Sequence, residues 1–128
     1  MAKEKKITKA YLKKLAKRDS NKRYKEWGNS VKDRDGRACV ICKETKLLNA
    51  HHIIPREIPE FRWDVDNGVS LCPKHHKFNF KFSAHRNPLA FLLWFLYNRT
   101  AQHDRLVEKW LNYYNNIEGL KNVNTEIV

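Results

Sequence analysis

Cysteine is scarce in this sequence, with three in 128 residues. An odd count cannot close entirely as disulfides, so the disulfide framework of many small secreted domains is excluded. Long apolar runs are missing as well. The longest, Leu89 to Tyr97, has nine residues, less than half of the about 20 that a membrane-crossing helix requires. No secretory leader is visible and no segment repeats. Together these absences lead us to expect a reducing, cytoplasmic setting and no membrane partner. Acidic residues are few too: 14 Asp and Glu stand against 26 Lys and Arg, for a net charge of +12. Such a field attracts polyanions and favours nucleic acid through counterion release, although a merely soluble basic protein would carry it equally. Length sets a last limit. The chain suffices for one small domain, residues 1–128, whose thin core needs additional staples.

What is present falls into three parts. Residues 1–34 form a basic arm in which Tyr11, Leu12 and Leu15, then Tyr24, Trp27 and Val31, recur at helical spacing. Ser20, read as an N-cap between the two sets, predicts a frayed first helix and a firmer second one ending near Asp33 to Gly36. The positive run reads equally as a DNA-tracking arm or as a solvated helix face. Residues 83–128 form a helical extension. Asn87 and Pro88 give a start signal for a buried helix over Leu89–Tyr97. Thr100 then caps a last helix with the stripe Leu106, Val107, Trp110, Leu111 and Tyr114 and a stop at Gly119. These two helices are expected to pack on each other and on Trp27.

Between these parts, residues 35–82 hold all three cysteines and four of the six histidines. A knuckle at Cys39-Val40-Ile41-Cys42 leads to a short strand over Leu47–Ile54, and a loop with aromatic anchors runs from Arg56 to Asn67. Gly68 permits a turn into a second strand, Val69 to Leu71, and Pro73 opens a helix to about Phe82 that carries His76. Cys39 and Cys42 make one half-site and Cys72 with His75 the other, with 29 residues between Cys42 and Cys72. Three thiolates and an imidazole fill a tetrahedral shell around Zn²⁺ and leave no position open to water, which makes this a structural zinc. The plain alternative is that these are small buried apolar cysteines, but two half-sites of such spacing rarely arise by accident.

His51 and His52 are neighbours on the first strand, so their side chains point to opposite faces and should do different work. One can bind a metal while the other, with a pKa near neutrality, takes a proton from water. Asn67, just before the second strand, is placed to bond across to the backbone or ring of the first. His76 adjoins a zinc ligand and is fixed by it.

The succession CVIC, NAHHIIP, DNGVSLC and PKHH, over about residues 31–82, resembles the HNH endonucleases. This ββα-metal group includes phage and intron-encoded homing endonucleases and the colicin DNases. The resemblance implies an α+β fold, with a small ββα-metal core and structural zinc flanked by N-terminal and C-terminal helices. It further implies hydrolysis of DNA phosphodiesters, with His52 as general base, Asn67 as the bracing residue, and His51 and His76 as ligands of one catalytic divalent ion, Mg²⁺, Mn²⁺ or another. The three letters of the family name fall on His52, Asn67 and His76. A phage-infected bacterium is one cell in which such a chain would act.

The sequence departs from that pattern twice. His75 stands where many members carry a cysteine, which makes the zinc shell Cys3His. Phe80 stands where colicin-like members carry a further histidine. Asn79 either stands in for that histidine or takes no part; His85 is within reach of the scissile phosphate but reads better as an ordinary loop residue, and His103 as a surface one. Lys77, Lys81 and Arg86 are expected to touch backbone phosphate, contacts that position DNA without reading its sequence. The rival function is a noncatalytic zinc-stapled nucleic-acid-binding module, which would need neither His52 nor Asn67. A zinc-stapled protein-interaction domain fits the charge of +12 less well. No dimer face is legible, so monomer and homodimer both stand.

Overall fold

The computed structural model describes residues 7–117. A 26-residue helix, α1 (Lys9–Arg34), opens it. The break predicted at Ser20 is absent. Thr8 is the cap instead, its hydroxyl accepting from the Tyr11 N–H at 3.1 Å. Ser20 lies mid-helix, carried by flanking Lys, Arg and Ala residues of high helix propensity. Only Trp27, Gly28 and Val31 of α1 are buried, so the helix joins the core through its C-terminal turns alone.

The centre is a two-stranded antiparallel hairpin, β1 (Asn49–His52) with β2 (Gly68–Leu71). The register pairs Ala50 with Ser70, His51 with Val69 and His52 with Gly68. Because side chains alternate along a strand, Ala50, His52, Gly68 and Ser70 share the face toward α1, and His51, Val69 and Leu71 share the other. Each face builds its own core. Trp27, Val31 and Ala50 form one cluster, joined by Trp63 and Val65. Val69 and Leu71 join Cys39, Cys72, Phe91 and Phe95 in the other. Trp27 is therefore divided by the hairpin from the C-terminal helices on which it was expected to pack.

Gly68 is the first residue of β2 rather than the hinge of a turn, with extended backbone at φ −139°. Its lack of a side chain serves close approach: a Cβ there would lie 2.6 Å from both the Trp27 ring and Val31 Cγ2. The outer edge of β2 is satisfied by the Val40 N–H, which donates to Ser70 O at 3.0 Å, and by side chains. Asp35, its carboxylate wholly buried, accepts from the Ser70 N–H at 2.9 Å and pairs with Arg34 and Arg99 at 2.9 and 2.7 Å. Burial pushes the Asp35 pKa up, but the hydrogen bonds from Arg34 and Ser70 and the charges of Arg34 and Arg99 outweigh it, and the net shift is downward.

After β2 the chain makes one wide π-helical turn, Lys74–Phe78, shorter than the helix to Phe82 that Pro73 suggested. Asn79 ends it, its N–H reaching Lys74 O at 2.9 Å and its amide oxygen accepting from the Lys81 N–H at 3.0 Å. An asparagine that offers the backbone such a local partner competes with helix propagation. Asn87 caps α2 (Pro88–Asn98) as expected, accepting from the Ala90 N–H at 3.2 Å. Phe91 and Phe95 of that helix seal the core, each contributing about 1.5–3 kcal/mol by burial. In α3 (Thr100–Asn116) Arg99 holds the cap position, while the Thr100 hydroxyl donates back to Leu96 O. Gly119, the expected stop, lies outside the described residues. No helix among the described residues is long and apolar enough to cross a membrane.

Candidate metal centres and active-site cleft

The knuckle places its two cysteines by a tight turn: the Cys39 N–H reaches Glu44 O at 2.8 Å and the Lys43 N–H reaches Cys39 O at 2.9 Å. Lys43 takes a left-handed conformation to close it, φ +69°. Cys72 and His75 arrive from the end of β2 and the π-turn, and the four donor atoms lie within 4.8 Å of one another. Cys42 and Cys72 sulfurs are 3.6 Å apart, and His75 Nδ1 lies 3.3 and 3.8 Å from the sulfurs of Cys72 and Cys39. A tetrahedral ion with metal–sulfur bonds of about 2.3 Å and metal–nitrogen bonds of about 2.1 Å would have edges of roughly 3.5–3.8 Å, which two of these distances match and the third, 3.3 Å, approaches. All three are far too long for a disulfide, at about 2.05 Å. The Cys3His set is thus consistent with a zinc-bound core.

A second cluster forms on the far side of the π-turn. His75 faces the zinc site and His76 the opposite way, where His51 and His85 meet it, the ligand nitrogens of the three lying within 4.8 Å of one another. His76 Nε2 and His85 Nε2 are 3.0 Å apart, and the His51 ring lies edge-on to both at 5.3 and 5.0 Å between centroids. His85 is the residue that sequence reasoning set aside. Backbone bonds bring it in, from the Ala84 N–H to His75 O at 2.8 Å and from the His85 N–H to His76 O at 3.0 Å. The available signal was the short link between the zinc half-site and the Asn87-Pro88 cap, which leaves residues 83–86 little room to go anywhere else. Asn79, the other candidate, spends its amide oxygen on its own turn, accepting from the Lys81 and Phe82 N–H groups at 3.0 and 3.4 Å.

Electrostatics keep this cluster in the form that binds cations. Burial, then the neighbouring charges of His76 and His85, push the His51 pKa down to about 3, and burial and His85 push His76 down to about 4. Burial and Lys77 lower His85. All three imidazoles are neutral at pH 7, the state that donates a lone pair to a metal.

His52 points the other way, as alternation requires. Its ring stacks on Trp27 at 3.9 Å with 8° between planes, and its Nε2–H donates to Arg62 O at 2.8 Å. That bond assigns the tautomer and leaves Nδ1 as the basic nitrogen. Burial lowers the pKa of His52, partly opposed by the Arg62 carbonyl and reinforced by the charge of Arg56.

Asn67 is completely buried. Its amide oxygen accepts from the Ile54 N–H at 2.6 Å, and its amide nitrogen donates to Ile54 O and Phe61 O at 3.0 Å each. It therefore pins both ends of the loop that presents the Arg62 carbonyl to His52. Its contact with the imidazole runs through that loop rather than directly.

Despite their opposite directions, His51, His52, His76 and His85 line one cleft of about 360 Å³, together with Tyr24 and Arg56. Tyr24 comes from α1, and neither it nor Arg56 carried a local sequence signal for this role. Lys77, Lys81 and Arg86 are exposed nearby, with Arg86 Nε donating to Lys77 O at 2.8 Å. His103 is half-buried rather than superficial, 5.9 Å from the Phe95 ring, and stands outside this cleft.

The family model described as HNH endonuclease matches residues 39–78. No curated protein and no solved structure matches the chain.

Proposed function

We propose that this chain, whose residues 39–78 match the family model described as HNH endonuclease, belongs to that family and hydrolyses DNA phosphodiester bonds in the cleft that the four histidines line. One observation carries the reading: three neutral imidazole donors converge in the cleft onto which a fourth, independently oriented imidazole also opens. His51, His76 and His85 would hold a divalent ion such as Mg²⁺ or Mn²⁺, which when bound would supply Lewis-acid stabilisation of the negative charge that grows in the transition state. His52, neutral and fixed by Arg62 O, takes a proton through Nδ1 from the water that attacks phosphorus in line. Asn67 and Trp27 hold that imidazole in place. Exposed Lys77, Lys81 and Arg86 bind neighbouring phosphates. The Cys3His zinc stays outside the chemistry and fixes His76 through His75.

The test is cleavage of supercoiled plasmid by zinc-loaded protein, with and without added Mg²⁺ or Mn²⁺. Nicked or linear product is expected only with the ion. His52→Ala should lose roughly 10²- to 10⁴-fold in cleavage rate while retaining DNA binding, the usual contribution of a general base. No product across a panel of divalent ions would leave the noncatalytic zinc-stapled module as the better reading.

A further inference from the structure

Beside the cleft, the π-turn displays a feature that hydrolysis alone does not require. Phe78 and Phe80 are 68% and 75% exposed, although each ring in water forgoes burial that would stabilise the fold. Basic residues surround them: Lys77, Lys81 and Arg86, all exposed. The two rings differ in their surroundings. The Arg86 guanidinium stands over Phe80 at 4.2 Å, whereas among the described residues no cation stands over Phe78.

Phe78 forms one wall of a groove of about 420 Å³, opposite Leu47, Leu48 and Asn49, with Pro73 and His76 also lining it. Leu47 is 81% exposed and adopts φ +54°, a left-handed conformation unfavourable for leucine. The groove thus joins an apolar rim, an aromatic ring and the amide of Asn49, which can both donate and accept. That combination suits a nucleobase, whose π-face stacks on aromatics and whose edge is polar. His76 lines this groove and the histidine cleft alike, so a base in one belongs to a nucleotide at or next to the phosphate in the other.

We propose that the groove beside Phe78 is a nucleobase subsite, and that the preferred substrate carries an unpaired or extruded base next to the scissile phosphate. A base inside a continuous duplex has both faces covered by its neighbours and cannot use the ring. An unpaired one pays little to leave the stack. Stacking of this kind tolerates every base, so it selects DNA structure rather than sequence. The link to a scissile phosphate rests on the nuclease reading above; the base subsite itself does not.

The test uses the full zinc-loaded chain with His52→Ala, so that DNA is not cut. It compares a duplex carrying 2-aminopurine in a short unpaired bulge with the fully paired duplex of the same sequence. Tighter binding of the bulged DNA and quenching of the 2-aminopurine are expected. Adding Phe78→Ala should weaken the bulged complex roughly 5- to 100-fold and the paired one by less than about 2-fold. Phe78→Trp should keep the quenching. Equal affinity for the two DNAs without quenching overturns the proposal, as does equal weakening of both by Phe78→Ala, the result expected of a contact indifferent to pairing, or no effect of Phe78→Ala on either, the result expected if the patch docks protein. Cleavage by the unmodified chain separates the two ideas. Cutting with neither a bulge preference nor an effect of Phe78 leaves the nuclease and removes the subsite, while quenching without cutting supports the subsite and removes the nuclease.

Discussion

Replacing Asn67 by aspartate changes almost no volume and reverses two hydrogen bonds. The carboxylate still accepts from the Ile54 N–H, but where the amide nitrogen donated to Ile54 O and Phe61 O at 3.0 Å, an oxygen now faces two carbonyls. Two bonds worth about 1 kcal/mol each are lost; Phe61 O keeps the Asp64 N–H, but a buried carboxylate oxygen set against two carbonyl oxygens adds repulsion and desolvation, for roughly 3–4 kcal/mol in all. Against a total stability of about 5–15 kcal/mol this is a large fraction. For a chain of 128 residues it should lower Tm by roughly 10–15 °C. A functional effect should follow from the same cause. Asn67 holds the ends of the loop whose Arg62 carbonyl fixes His52 Nε2 at 2.8 Å, and a displacement of about 1 Å in such a group costs on the order of 100-fold in rate. The assay pairs thermal melts of zinc-loaded protein with plasmid cleavage well below the variant's Tm. An Asn67→Asp chain that melts within a few degrees of wild type would refute the clamp. One that is folded and cleaves at the wild-type rate would refute its connection to His52.

Three further outcomes are expected. Cys42 is exposed, so Cys42→Ser removes a ligand without opening the core; zinc content by elemental analysis should fall and Tm with it, and a variant keeping one zinc per chain at wild-type Tm would contradict the tetrahedral site. Gly68→Ala forces a Cβ to within 2.6 Å of the Trp27 ring and should cost about 1–3 kcal/mol in urea denaturation. It should also slow cleavage through the His52 stack, and unchanged stability would mean that Trp27 can move freely. His85→Ala, at an exposed position, should alter stability by less than about 0.5 kcal/mol yet weaken Mn²⁺ binding by at least about 10-fold in calorimetric titration of zinc-loaded protein; undiminished affinity would remove His85 from the ligand set.

The two Cys-containing half-sites could be read from residue order alone, because metal chemistry demands specific donors and the intervals between them are local. The opposed directions of His51 and His52 were equally legible, since a strand alternates whatever surrounds it. The caps at Asn87 and Thr8 show the limits of that kind of reading: one signal was recognised, while the other was passed over for Ser20, a comparable residue in a stretch whose neighbours favour helix. Tertiary structure decided the remainder. His85 joins His51 and His76 because the chain folds back on the π-turn, Tyr24 reaches the cleft because α1 lies against β1, and Gly68 is bare because Trp27 and Val31, far back along the chain, press on it. No periodicity encodes such meetings. They arise from which faces the hairpin covers, and that is settled only when both cores close.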